Sequence, residues 1–90
     1  MYTFSSKLTF HIPYADSLKD KRRVSRSLLD KARIKFNASI AEVDTQDSHR
    51  VLTIGIAVVS GEASHGQDYL DGIIRFMEGN TDAILISVEV

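Results

Sequence analysis

The sequence predicts an α+β domain in which two helices cover one face of a four-stranded antiparallel sheet. Three observations lead there. Apolar and polar side chains alternate at period two through 2–12 and 83–90, and again through 50–60, which is rich in β-branched residues. Between these segments, 17–37 and 62–78 carry apolar stripes at helical spacing. The two patterns follow one another with only short polar connections. With 90 residues and no repeat, linker or low-complexity segment, the chain reads as a single domain over 1–90.

The first strand is expected over 2–12. Its even positions Tyr2, Phe4, Leu8, Phe10 and Ile12 face a core, with Ser6 the exception, and Thr3, Ser5, Lys7, Thr9 and His11 face the other way. Pro13, the sole proline, ends that strand and leads through Tyr14-Ala15-Asp16 into the first helix. Ser17 followed three residues later by Asp20 is a capping pattern. Leu18, Ser25, Leu28, Leu29, Ala32 and Phe36 form the buried stripe, and Asn37 is a left-handed stop.

A short second strand is expected over 38–44, then a polar hairpin connection over 45–49 and a third strand over 50–60. In that third strand Leu52, Ile54, Ile56 and Val58 share one face, opposite the small Thr53, Gly55 and Ala57. The second helix, 62–78, has Ala63, Gly66, Leu70, Ile73 and Met77 on its core side and stops at Gly79-Asn80. Gly66 and Gly72 each weaken it by about 1 kcal/mol relative to Ala unless close packing requires them. The last strand, 83–90, alternates Ile84, Ile86, Val88 and Val90 with Leu85, Ser87 and Glu89.

This order is βαββαβ, the ferredoxin-like arrangement. Right-handed crossovers put both helices on one face and give the strand order fourth, first, third, second. The opposite face is expected to be open and small to polar. The last strand is then a poorly protected edge, since Glu89 is its one charge. Homodimer formation through that edge or through the open face follows as an expectation.

The charge distribution is uneven. Segment 16–36 holds eight basic and three acidic side chains, a local charge of +5, in a chain of net charge −1. Lys19, Arg22, Arg23, Arg26 and Arg33 fall on one side of the first helix, as a stripe beside the apolar one. Arginine suits phosphate through its planar bidentate fork, so the stripe is a candidate nucleic-acid contact that positions a backbone without reading sequence. Against it stands an ordinary solvated face, with Asp30 compensating Arg26 and Arg33 at helical spacing. The near-neutral total excludes a generally lysine-coated binder. There is no cysteine, hence no disulfide framework or thiolate metal site. No apolar stretch is long enough for a membrane span, and the N-terminus lacks the pattern of a signal peptide.

At SLKDKRRV, KFNASIAEVDTQD and IGIAVVS the chain resembles the YlxP-like family of small bacterial proteins, over nearly its full length. The recurrent motif of that family falls on Ser17, Leu18, Lys19, Asp20, Lys21 and Arg22. Ala63 and His65 match its second-helix pattern loosely, and Ser48-His49 stand where a tryptophan is usual. The resemblance implies a ferredoxin-like fold and a cytoplasmic location, and no catalytic residues or cofactor. Genes of the family commonly lie among those for transcription termination, translation initiation and ribosome maturation, which implies rRNA or a ribosomal subunit as the partner.

Other chemistries find little support. The glycines lack phosphate-loop spacing, and no serine sits in a nucleophile elbow. Glu42, Asp44, Asp47 and His49 form the best metal-like cluster, with loose spacing and unselective ligand types. His11 and His65 read as surface histidines. The outward positions of the first and third strands offer no aromatic platform for stacked bases. The turn after the first strand lacks the arginine-bearing loop of an acylphosphatase-like enzyme. The sequence therefore points to a non-enzymatic, cofactor-free cytoplasmic factor that touches RNA or the ribosome through the basic stripe, and not to a reader of DNA sequence. The alternative is a protein-interaction or small-ligand regulatory module dimerising through its sheet, dependent on Thr53, Ala57 or Leu85.

Overall fold

β1 (Tyr2–His11) is the organising strand of the computed structural model, which describes all 90 residues, Met1–Val90. It pairs antiparallel along its whole length with β3 (Val51–Ser60), from Tyr2 opposite Ser60 to His11 opposite Val51. On its other side lies β4 (Ile84–Glu89), and β2 (Ser39–Glu42) completes the sheet beside β3. The order β2-β3-β1-β4 and the element order βαββαβ are those of the ferredoxin-like fold.

The alternation in β1 and β3 gives the core directly. Leu8, Phe10 and Ile12 are buried on the helix face with Leu52, Ile54, Ile56 and Val58. α1 (Leu18–Lys35) adds Ser25, Leu28, Leu29 and Ala32, and α2 (Ala63–Gly79) adds Gly66, Leu70, Ile73 and Met77. Gly66 has a packing reason: a Cβ there would lie 2.1 Å from Cε2 of Phe4. Gly72 has none, its nearest neighbour being an Arg75 nitrogen at 4.0 Å.

Several expectations change. β2 is shorter than 38–44 because Asp44 adopts a left-handed conformation (φ 63°), which turns the chain out of the strand. Neither helix stops on a left-handed residue. α1 ends where Phe36 becomes extended (φ −120°, ψ 142°), and the Asn37 N–H donates to the Tyr69 hydroxyl at 2.7 Å. α2 ends at Asn80, whose side-chain amide donates to the Phe76 carbonyl.

The alternation in β4 is broken by a bulge that leaves Ile86 without a partner in the register. Val88 stands opposite Leu8, and Leu85 opposite Phe10, so these two share the helix face. The open face is also less open than its residues imply. The connection after β2 folds onto it: Val43 lies over Gly55, and Thr45 bonds both the backbone and the hydroxyl of Thr53, which is buried. Of Thr53, Ala57 and Leu85, only Ala57 is exposed.

Candidate functional site

The motif segment Ser17–Arg22 divides into structural and surface roles. Ser17 caps α1 by accepting a hydrogen bond from the Asp20 N–H at 3.1 Å. Asp20 reaches back to accept the Asp16 N–H at 3.0 Å, one residue outside the cap. Leu18 is half-buried, whereas Lys19 and Arg22 are exposed.

Lys21 is the surprise of this segment. It is 2% exposed, and its ammonium lies 2.7 Å from Oε2 of Glu42. It also donates to the Ser48 carbonyl at 2.6 Å and to the carbonyl of Thr45. Oε2 of Glu42 is itself buried with no hydrogen-bond partner, so the ionic contact alone balances it. Lys21 thus ties α1 to β2 and to the turn that follows, and it does not belong to the surface charge. Helical spacing places it with Ser25, Leu28 and Leu29, four, seven and eight residues on. Its charge masked that membership in the buried stripe.

Arg33 has a second role beside its charge. Its Nε and Nη2 donate to the Ile40 carbonyl of edge strand β2 at 3.1 and 2.6 Å. This covers part of an otherwise open edge.

Lys19, Arg22, Arg23 and Arg26 remain exposed together on α1. None has a carboxylate within 4.0 Å, and the expected compensation by Asp30 of Arg26 and Arg33 is absent at that distance. With Ser27 and Asp30 the four cations bound a shallow depression of about 510 Å³. All six side chains come from one helix, so this is space between long side chains and not an enclosed cavity. What it can do chemically is present four cationic donors to an extended anion.

Around the helix from this face is a second cleft of about 330 Å³, between α1 and the turn from α2 to β4. Tyr14 lies in it, 49% exposed, with Arg23, Ser27 and Lys31 on one wall and Asn80, Thr81 and Asp82 on the other. Partial burial pushes the Tyr14 phenol above its ordinary pKa of 10.0, and the Asp82 carboxylate adds to that, while the Thr81 side chain works the other way. Sequence reasoning passed over Tyr14 as a turn residue. Its one signal was an aromatic side chain just before a basic helix.

The acidic residues of the β2–β3 region do not gather. Glu42 faces Lys21 on the helix side, and Asp44 bonds Lys7 at 2.8 Å on the other side of the sheet. That contact, with Glu89 nearby, raises the pKa of Lys7 above its ordinary 10.5. No three His, Cys, Asp or Glu side chains come together as a metal-holding group. His11 is half-buried on the open face, and His65 is exposed, 3.5 Å from Glu62. No helix is long and apolar enough to cross a membrane.

The fold and this distribution of residues meet a known class. A family model described as "Protein of unknown function (DUF503)" matches residues 4–90, and the chain belongs to that family. A relative from Bacillus subtilis (strain 168), "Uncharacterized protein YlxP", is 36% identical over 64 residues, which cover 71% of this chain and 70% of the relative.

Proposed function

We propose that the protein is a non-enzymatic cytoplasmic factor that associates with RNA or a ribosomal particle through Lys19, Arg22, Arg23 and Arg26. One observation carries this reading. The four cations lie at mutual spacings of three and four residues on α1 with no counter-ion within 4.0 Å. Like charges at these spacings destabilise a helix by roughly 0.2–0.5 kcal/mol per pair. The four pairs (19 with 22 and 23, and 26 with 22 and 23) therefore cost on the order of 1–2 kcal/mol. A face that served only for solubility has no need of such spacing, whereas phosphates would turn the repulsion into attraction. Arg33, anchored on Ile40, adds charge at the margin.

Co-sedimentation with ribosomal particles from a bacterial lysate tests the reading. The protein is expected to travel with particles at low salt and to leave them at moderate salt, because each neutralised phosphate releases counterion. Arg22→Glu/Arg23→Glu/Arg26→Glu should abolish the association. A wild-type protein that stays at the top of the gradient at low salt refutes it.

A second reading, a sheet-mediated interaction or dimer module, is favoured by Ile84, Ile86 and Val88 of edge strand β4. Each exposes more than half of its surface. Sedimentation velocity that finds only monomer at high concentration removes the dimer.

A further inference from the structure

The Tyr14 cleft and the basic face are continuous, since Arg23 and Ser27 line both. From this we propose that the cleft seats one unpaired nucleotide of an RNA strand lying along α1, its base on the Tyr14 ring and its phosphates on Arg23 and Lys31. The inference rests on the reading of the basic face given above and names the form of RNA that face takes.

Three features of the cleft fit such a guest. Its volume of about 330 Å³ lies at the lower end of small-ligand clefts. Tyr14 lines the cleft with half of its surface exposed, beside the apolar Val24 and Leu28, and so offers an accessible aromatic ring as base stacking requires. The cations lie on the α1 wall and the carboxylate of Asp82 on the opposite one, so the phosphate is drawn to the helix and the base edge to the turn.

The turn also has a chemical preference. The Asn80 Nδ2 is engaged by the Phe76 carbonyl at 2.8 Å, which leaves its side-chain oxygen free as an acceptor. Asp82 has no cation within 4.0 Å and is likewise an acceptor. The turn wall thus carries two acceptors, to which an exocyclic amine brings two donor hydrogens where uracil brings only its N3–H. Cytosine and uracil have the same ring size and differ in this respect at C4, amine against carbonyl.

The test is fluorescence anisotropy with fluorescein-labelled C12 and U12 single strands and a 12-base-pair RNA duplex, in low salt. The full chain is compared with Tyr14→Leu, Tyr14→Phe and Arg22→Glu/Arg26→Glu, each first checked for folding by a thermal melt. The wild type is expected to bind C12 about fivefold more tightly than U12. Tyr14→Leu should weaken C12 binding by roughly 5- to 150-fold, the range for loss of one stacked base. It should leave duplex binding unchanged, and Tyr14→Phe should bind C12 as the wild type does. Arg22→Glu/Arg26→Glu should weaken every RNA.

If Tyr14→Leu binds C12 within twofold of the wild type while the arginine variant loses binding, the basic face stands and the cleft falls. A Tyr14→Phe variant as weak as Tyr14→Leu overturns stacking. Cytidine monophosphate that displaces C12 fully at micromolar concentration overturns the RNA strand as the guest. No binding of any RNA by the wild type overturns both readings.

Discussion

Replacing Lys21 by Met tests whether the buried ion pair holds α1 to β2. The substitution keeps the length of the side chain and removes the ammonium. It leaves Oε2 of Glu42 without its counter-ion and the carbonyls of Thr45 and Ser48 without their donor. Breaking a buried pair on one side costs about 3–5 kcal/mol. The Glu42 side chain is 19% exposed and can recover some hydration, so the lower end, about 3 kcal/mol, is expected. For a domain of this size that lowers Tm by roughly 12–24 °C, at about 4–8 °C per kcal/mol.

Lys21→Met/Glu42→Leu removes both charges together. Paired removal of this kind is often neutral, so the double variant should lose only the carbonyl contacts, roughly 1–2 kcal/mol. Urea unfolding followed by circular dichroism measures Lys21→Met, Glu42→Leu and the double variant against the wild type. The pair is expected to show a coupling energy of at least 1 kcal/mol. A Lys21→Met variant within 0.5 kcal/mol of the wild type refutes the reasoning. Equal costs for Glu42→Leu with and without Lys21 refute it too.

The two glycines of α2 should respond in opposite directions. Gly66→Ala drives a methyl group into Phe4 and should destabilise by about 1–3 kcal/mol, whereas Gly72→Ala, with open space around it, should stabilise by about 0.5–1 kcal/mol. Urea midpoints of the two variants decide this. Tyr14 should ionise above 10.0, seen as a phenolate absorbance step that is lost in Tyr14→Phe. Because the folded state holds that proton more tightly than the unfolded chain, the stability contributed by Tyr14 is present below pH 10.0 and declines as pH rises through the folded pKa. Lys7, raised above 10.5 by Asp44 and Glu89, acts in the same direction.

The fold was legible because β1, β3 and the two helices each carry one clean period. The helix stripes placed Leu28, Leu29, Ala32, Leu70, Ile73 and Met77 in the core, where they lie. What the pattern missed depends on contacts between distant segments. The burial of Lys21 requires Glu42 and a turn some twenty-five residues away in sequence, which no local period reports. The bulge at Ile86 came from pairing with β1, although Ile84, Ile86 and Val88 alternate regularly in the sequence. The left-handed residue appeared at Asp44 and not at Asn37, because Tyr69 supplies a partner for the Asn37 N–H. The basic face was legible as a stripe of residues, but the absence of counter-ions for it was not.

The strand order has a kinetic consequence. β1 occupies an inner position of the sheet, yet its partners are β3 and β4, reached only after roughly forty and seventy further residues. Within the sheet only β2 and β3 can zip locally, Glu42 beside Ile54. Folding therefore proceeds by closing long loops around a strand that cannot complete its ladder until the last element docks, which favours slow barrier crossing over rapid local assembly. During that interval Leu8, Phe10 and Ile12 are the apolar surface most in need of shelter, and a chain made from its N-terminus presents them first.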